Sequence, residues 1–184
     1  MAIIVPTVLA TTPDELGTML DRAESLSERV HIDISDGQFT PNPTVGLAQV
    51  QVGENTLLDL HLMLQDPMAQ LETALSLKPN LIIFHVESGG DLMGGLGHVR
   101  QVGIHAGVAI LPQTPVEAAR ALIEHADHVL IFTGHLGYNN GDFQPDQLER
   151  VAAVRAIKPD VEVSVDGGVT DRNAALIALE DVNV

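Results

Sequence analysis

The chain has 184 residues and a mass of 19.6 kDa, and its 25 acidic residues outnumber its 9 lysines and arginines, giving a formal charge of −16. Without a basic cluster and with only 3% aromatic residues, the sequence excludes a nucleic-acid or anionic-membrane surface. It contains no cysteine, which excludes disulfides, thiolate metal sites and cysteine nucleophiles. With 45% hydrophobic residues, the chain can bury one core, and we expect a single domain over residues 1–184.

The N-terminal segment has the pattern of a buried strand. It lacks the basic region of a signal peptide, and Pro6 follows a short apolar run. No apolar stretch approaches the roughly 20 residues that span a bilayer. We therefore expect a cytoplasmic protein without a membrane partner.

Short apolar runs alternate with amphipathic segments from one end of the chain to the other. The apolar runs are rich in Val, Ile and Leu, which predicts strands at residues 3–9, 29–34, 56–61, 81–86, 105–110, 128–132 and 161–165. Helices are predicted at residues 13–27, 67–77, 115–125 and 145–157. Each of these helices starts with a proline, whose missing N–H costs nothing at that position.

This alternation predicts a parallel sheet covered by helices, either as a closed barrel or as an open doubly wound sheet. A doubly wound dinucleotide-binding fold should have G-x-G-x-x-G after its first strand, whereas residues 9–13 read L-A-T-T-P. The (β/α)8 TIM barrel is therefore favoured. Residues 181–184 match the opening of an eighth strand, so we predict a C-terminally incomplete barrel of seven strands plus that opening.

Ionisable residues follow the predicted strands at their C-terminal ends, where the loops of a barrel converge on one cavity. His31 and Asp33 are two residues apart and share a strand face, as do Asp59 and His61. Any one such residue alone is typical of a hydrogen-bonded structural role. As a set, His31, Asp33, His61 and Asp166 suit a divalent Zn, Fe, Mn or Co ion, because several buried carboxylates need a cation.

Other residues near these strand ends have two interpretations each. His85 is either a site residue or a hydrogen-bonding partner of one. Gly167 and Gly168 either bring the backbone close to a ligand or form a tight turn. Residues 134–143 form a glycine- and asparagine-rich segment, which is a ligand loop or an ordinary flexible loop. Met63 packs over the site or fills the core.

Taken together, these motifs resemble the ribulose-phosphate 3-epimerase family of (β/α)8 barrels. The resemblance is carried by P-T-V-L at residues 6–9, H-I-D-I-S-D-G-Q-F-T-P-N at 31–42, D-L-H-L-M at 59–63, P-Q-T-P at 112–115 and V-D-G-G at 165–168. It implies an enzyme that interconverts D-ribulose 5-phosphate and D-xylulose 5-phosphate in the pentose phosphate pathway. By position, His31, Asp33, His61 and Asp166 match the family's ligands for one divalent metal ion.

The resemblance also implies the chemistry. Asp33 and Asp166 match the family's two acid/base residues, and inverting a carbon beside a carbonyl needs a proton removed from one face and returned to the other. A divalent ion stabilises the negative charge of the ene-diolate formed between these steps. The residues that match or lie at the implied substrate site are Thr7, His61, Met63, Gly137, Asn139, Asn140, Gly167 and Gly168.

Several positions depart from the family pattern. Thr7 replaces a serine, Ser35 replaces a methionine of the apolar cap, and Asn139 and Asn140 replace a glycine pair that helps to hold the substrate phosphate. The family pattern also continues through an eighth strand and a last helix. An exposed edge there predicts a covering subunit, and hence a homo-oligomer, or a shortened chain.

These departures leave a rival hypothesis, a non-catalytic or altered-substrate relative that binds a metal or another small ligand. An orotidine-phosphate type decarboxylase is disfavoured, because no lysine lies near Asp33 or Asp59 to form its D-x-K-x-x-D string.

Overall fold

The computed structural model describes residues 2–134, 136 and 142–184. Its seven strands form one parallel sheet in chain order, with each strand beside its successor. The strands are β1 (Thr7–Val8), β2 (Arg29–Ser35), β3 (Leu57–Met63), β4 (Leu81–His85), β5 (His105–Ile110), β6 (His128–Phe132) and β7 (Glu162–Asp166). The predicted fold class is confirmed as an α/β fold that forms an open, incomplete (β/α)8 barrel.

Crossover segments connect the parallel strands, and they contain α-helices except between β2 and β3, where the segment has a 3-10 turn at Leu47–Gln49. The α-helices are α1 (Pro13–Glu24), α2 (Leu71–Ser76), α3 (Leu92–Gln101), α4 (Arg120–His125), α5 (Arg150–Ile157) and α6 (Ala174–Ile177). Three of the predicted helices open with a 3-10 turn, at Pro67–Gln70, Val116–Ala119 and Pro145–Glu149. The predicted helices are therefore present, with α-helical geometry confined to their later turns in these three cases.

The first predicted helix has a well-formed start. Thr12 precedes Pro13, and the Thr12 hydroxyl accepts a hydrogen bond from the Glu15 N–H at 3.3 Å. The Glu15 carboxylate accepts one in return from the Thr12 N–H at 3.2 Å. This reciprocal capping box satisfies backbone donors that the first helical turn leaves free and fixes the chain direction after β1.

The two faces of the sheet have different roles, because successive side chains of a strand point to opposite sides. In β2, Val30, Ile32 and Ile34 belong to the main core, beneath the helices. A second, smaller apolar cluster fills part of the barrel interior, and its buried members are Leu81, Ile83, Ala109, Leu111, Leu130 and Phe132. The alternate residues of β2, Arg29, His31 and Asp33, lie on this interior side with polar partners.

The last residues of the chain lie between β7 and the N-terminal segment. The Val165 N–H donates to the Val184 carbonyl at 3.0 Å, and the Ile3 N–H donates to the Asn183 carbonyl at 2.9 Å. Asn183 and Val184 thus occupy the position expected for the opening of an eighth strand. Beside them, an apolar groove of about 300 Å³ separates the N-terminal segment from α6.

A polar network occupies the end of the barrel interior at which the strands begin. Arg29 Nε lies 2.6 Å from an Asp59 carboxylate oxygen, and its two terminal nitrogens each lie 2.9 Å from Glu162. His128 Nδ1 lies 2.7 Å from Glu162 as well. Asp59 shares a strand face with His61, as predicted, but it forms an ion pair at the opposite end of the barrel. Within the described ranges, no helix is long and apolar enough to cross a membrane.

Candidate functional site

Asp33 is the centre of a buried polar cluster at the C-terminal end of the strands. The parallel register sets Asp33 beside His61 of the neighbouring strand. Asp33 Oδ1 lies 2.8 Å from His61 Nδ1 and 3.2 Å from His31 Nε2. All three side chains are buried, with His61 fully so. His31 and Asp33 share a face because they are two residues apart in β2, and His61 joins them because β2 pairs with β3. Three side chains of metal-binding type therefore meet at one point.

Asp166 joins this cluster from the last residue of β7. Its Oδ1 accepts a hydrogen bond from the Gly167 N–H at 2.7 Å, and its carbonyl accepts one from the Thr133 hydroxyl at 2.9 Å. One ligand atom from each of the four side chains His31, Asp33, His61 and Asp166 lies within 4.8 Å of all the others. Two imidazoles and two carboxylates at this separation fit a divalent transition metal ion, so the cluster is compatible with the expected cofactor.

The two carboxyl groups have environments that push their pKa values apart. Burial acts to raise the pKa of Asp33, but its contacts with His31 and His61 outweigh burial and hold this pKa well below its usual range. Burial raises the pKa of Asp166, and the negative charge of Asp33 raises it further. One carboxyl group is therefore biased towards the ionised form and the other towards the protonated form, which is typical of an acid/base pair.

The two histidines also differ. Burial acts to lower the pKa of His31, but the hydrogen bond and charge of Asp33 raise it to about 9. For His61, burial prevails and the pKa lies below its usual value of 6.5. A neutral imidazole is the form that binds a metal ion, so His61 is poised as a ligand and His31 must release a proton to become one.

His85 and Glu87 extend the cluster on the side of His61 that faces away from Asp33. His61 Nε2 lies 2.8 Å from His85 Nε2, and His85 Nδ1 lies 3.3 Å from Glu87 Oε2. The Phe39 ring packs on the His85 ring, with the ring centres 4.9 Å apart. His85 therefore contacts His61 on the ring nitrogen opposite Asp33. This position agrees with the interpretation of His85 as a hydrogen-bonding partner of a site residue. Glu87 was not predicted as a site residue, although its spacing of two residues from His85 is the signal that could have indicated it.

Comparison with known proteins agrees with this geometry. The model of the ribulose-phosphate 3 epimerase family matches residues 3–184. The chain belongs to this family. A ribulose-phosphate 3-epimerase of Rhodobacter capsulatus is 30% identical over 187 residues, covering 98% of this chain and 82% of the relative. The cytoplasmic isoform of the enzyme from Oryza sativa subsp. japonica is 32% identical over 173 residues, covering 90% of this chain and 76% of the relative.

A solved structure supports the fold independently. The crystal structure of the YdjI aldolase from Escherichia coli K12 superposes with a TM-score of 0.59. The likeness covers 99% of this chain and 74% of the aldolase chain, at 17% sequence identity. At this identity the likeness concerns the fold alone.

Of the remaining expected substrate residues, the structure describes Thr7, Met63, Gly167 and Gly168. Thr7 is the register partner of His31, and it lines a small interior cavity together with His31 and Asp166. Met63 ends β3 and is buried. Ser35, at the position where the family pattern has methionine, accepts a hydrogen bond from the Gly37 N–H at 3.3 Å and donates its own N–H to Thr44 at 2.9 Å. Ser35 therefore holds the backbone of the following loop.

Gly167 and Gly168 have backbone conformations that explain their residue type. Their φ angles are 98° and 74°, in the region that favours glycine. A Cβ atom on Gly134 would lie 2.8 Å from the Gly167 Cα, so the β6 and β7 loops approach too closely for side chains there. The backbone therefore agrees with the tight-turn interpretation, and the approach of Gly167 and Gly168 to a ligand stays a prediction. Gly137, Asn139 and Asn140 lie outside the described residues, and their predicted contacts with substrate stay predictions.

Proposed function

We propose that this family member is a metal-dependent isomerase that epimerises C3 of a pentulose phosphate, interconverting D-ribulose 5-phosphate and D-xylulose 5-phosphate. The single observation that carries the proposal is the convergence of Asp33 and Asp166 with two histidines inside 4.8 Å. Family membership supports the substrate, since the relatives bear the name ribulose-phosphate 3-epimerase.

The four side chains His31, Asp33, His61 and Asp166 would hold the divalent ion. Such an ion supplies positive charge next to the negative charge that develops on the substrate oxygens as an ene-diolate forms. The protein contributes the geometry. Because His61 and Asp33 are buried, with Nδ1 and Oδ1 only 2.8 Å apart, their ligand atoms are fixed in direction and water is kept from this side of the site.

Asp33 and Asp166 would carry the protons. One carboxylate takes the C3 proton, and the electron pair of the broken C–H bond forms the C2–C3 double bond of the ene-diolate. The other carboxyl group delivers a proton to the opposite face of C3 as the carbonyl re-forms, which inverts the centre. The pKa values of the two groups are displaced in opposite directions, which supports a division of roles between them.

The substrate would be held by groups around this pair. Thr7 and Met63 flank it from β1 and β3, and Gly167 and Gly168 bring the backbone near it from the β7 loop. We assign Gly137, Asn139 and Asn140 to the approach of the phosphate group on the basis of the family pattern. Consistent with the name of the Oryza sativa relative, we place the enzyme in the cytoplasm. The proposed reaction places it in the pentose phosphate pathway. We further propose a homo-oligomer, which light scattering coupled to size-exclusion chromatography tests directly.

Hydrogen exchange at C3 tests the chemistry. In D2O, the metal-loaded protein should exchange the C3 proton of ribulose 5-phosphate, whereas Asp33→Asn and Asp166→Asn should each lower epimerisation by about 10²-fold or more. Asp160→Asn, in the exposed loop before β7, is the matched control and should retain activity. Normal turnover in both site variants would refute the acid/base assignment.

The second candidate function is a relative that binds a metal or another ligand without epimerising pentulose phosphates. Ser35 favours it, because the side chain that replaces methionine of the family's cap is engaged with the loop backbone. Isothermal titration with ribulose 5-phosphate separates the two candidates. Saturable binding accompanied by turnover supports the epimerase, and metal binding without sugar phosphate binding supports the second candidate.

A further inference from the structure

A buried chain of hydrogen-bonding side chains runs from the candidate metal site across β3 and β4 to the loop after β5. Its first contact joins Asp33 Oδ1 and His61 Nδ1 at 2.8 Å, and its second joins His61 Nε2 and His85 Nε2 at 2.8 Å. The third joins His85 Nδ1 and Glu87 Oε2 at 3.3 Å. Two imidazoles therefore lie in series between two carboxylates.

The number of protons in this chain is informative. Three hydrogen bonds need three protons. When both imidazoles are neutral they carry only two ring N–H groups, and ionised carboxylates are acceptors only. One of the three contacts is therefore without a proton, and two lone pairs meet there. A cation between those two atoms removes the repulsion.

Glu87 fixes the proton at its own end of the chain, and a cation at the candidate metal site selects the contact at the other end. Glu87 Oε1 accepts a hydrogen bond from the Leu111 N–H at 3.1 Å. Burial acts to raise the pKa of Glu87, but hydrogen bonds from His85, Thr114 and Leu111 lower it, so Glu87 is an acceptor. His85 then donates its Nδ1–H to Glu87 and accepts the Nε2–H of His61 at its own Nε2. The nitrogen left without a proton is Nδ1 of His61, which faces Asp33 and the other ligand atoms.

We propose that Glu87, acting through His85, holds His61 in the tautomer whose Nδ1 binds the divalent ion, which makes Glu87 and His85 positioning residues of the metal site. This inference rests on the metal dependence proposed above. Metal-binding histidines commonly donate their second ring N–H to an outer acceptor, and loss of that acceptor costs about 10- to 100-fold in metal affinity. In this chain the outer acceptor is a second histidine, which a glutamate orients in turn.

The substitution Glu87→Gln tests the proposal with little change in side-chain volume. The Leu111 N–H still needs an acceptor, so the amide oxygen takes that position and the amide NH2 faces Nδ1 of His85. His85 then carries its proton on Nε2, and His61 is left with its proton on Nδ1, where the ion would bind. The matched control is Glu117→Gln, since Glu117 is exposed and pairs with Arg120 at the surface.

Two measurements decide the question. Competition with a chromophoric chelator should give Glu87→Gln a zinc affinity about 10- to 100-fold weaker than that of the unsubstituted protein, and leave Glu117→Gln unchanged. Long-range 1H–15N spectra of the zinc-loaded, unsubstituted protein should show the His61 ring protonated at Nε2. This second measurement needs no variant, so it decides the proposal even if Glu87→Gln fails to fold.

The outcomes separate this inference from the proposed function. Zinc affinity unchanged in a folded Glu87→Gln protein, or His61 protonated at Nδ1 in the zinc-loaded protein, would overturn the role of Glu87 while leaving epimerisation intact. Absence of binding of zinc, manganese, iron and cobalt by the unsubstituted protein would overturn both proposals. Weaker zinc binding by Glu87→Gln, in a protein that shows no turnover of ribulose 5-phosphate, would uphold the positioning role and reject the substrate.

Discussion

Asp33 and His61 lie side by side in the parallel register of β2 and β3, with Asp33 Oδ1 2.8 Å from His61 Nδ1. Neither residue is near the other in sequence, and their side chains meet because both face the barrel interior near the same end. His31, two residues before Asp33 on the same strand face, completes the arrangement from below. The pairing of adjacent strands thus creates a preorganised set of donor atoms before any ion is bound.

Removal of metal should abolish activity reversibly and lower thermal stability. An ion that binds only the folded protein stabilises it by about 2.7 kcal/mol at 100 times its dissociation constant. Dialysis against a chelator, followed by calorimetry and an epimerase assay before and after addition of zinc, manganese, iron or cobalt, measures both effects. Full activity in protein shown by elemental analysis to be free of metal would contradict the proposed function.

Gly134→Ala should perturb the site through the backbone. A Cβ atom there would lie 2.8 Å from the Gly167 Cα, so the β7 loop must move, and Asp166 directly precedes Gly167. We expect lower turnover together with a loss of stability of roughly 1–3 kcal/mol, as for other overpacked positions. Urea denaturation and steady-state kinetics measure the two effects.

The control for this substitution is Gly97→Ala in α3, where an added Cβ meets nothing within 4 Å. Because alanine is the better helix former, this variant should gain roughly 0.5–1 kcal/mol of stability and keep its activity. Equal behaviour of the two variants would show that the contact between the β6 and β7 loops does not constrain Asp166.

Arg29→Met should destabilise the fold by roughly 3–5 kcal/mol, because it leaves Asp59 buried without its cationic partner. Asp59 is only 2% exposed, and its other side-chain partner is the neutral amide of Asn80 at 2.8 Å. The shift in the urea midpoint gives the change in the free energy of unfolding. Arg22→Met, on the exposed side of α1, is the control. A midpoint shift no larger than that of Arg22→Met would mean that Asp59 is accommodated without Arg29.

Acid stability should depend on Glu162. Burial acts to raise the pKa of Glu162, but hydrogen bonds from His128 and Arg29 and their charges hold it far below the ordinary value of 4.5. A lowered pKa in the folded state stabilises the fold above the unfolded-state pKa, and this stabilisation disappears as the pH falls towards the folded-state pKa. Stability of the unsubstituted protein should therefore fall steeply below about pH 4.5.

Glu162→Gln removes this titration, so its stability should change less between pH 5 and pH 3. Urea midpoints at several pH values measure the slope of stability against pH. Glu54→Gln, in the exposed loop before β3, is the control variant. If Glu162→Gln and the unsubstituted protein have the same slope, the pairing of Glu162 with Arg29 and His128 does not govern acid unfolding.

Local patterns in the sequence were sufficient for the order of the strands and for naming the four residues of the candidate metal site, whereas α3 and α6 were not among the predicted helices. Apolar runs of five to seven residues predicted all seven strands, and parity predicted that His31 and Asp33 share a face. β1 is shorter than predicted, at Thr7–Val8, since regular pairing with β2 covers only these residues while Ile3 bonds to Asn183 instead. The length of a strand depends on the neighbouring segment with which it forms hydrogen bonds. Local composition does not specify that segment.

What the sequence by itself determined is which residues face the barrel interior, because a strand alternates its side chains whatever surrounds it. What only the tertiary structure decided is which of those residues meet. Asp59 and His61 share one face of β3, yet Asp59 pairs with Arg29 at one end while His61 joins Asp33 and Asp166 at the other. Glu162 reaches Arg29 across 133 positions of the chain, and Asp166 reaches Asp33 in the same way, because curvature of the sheet brings β7 back towards β2.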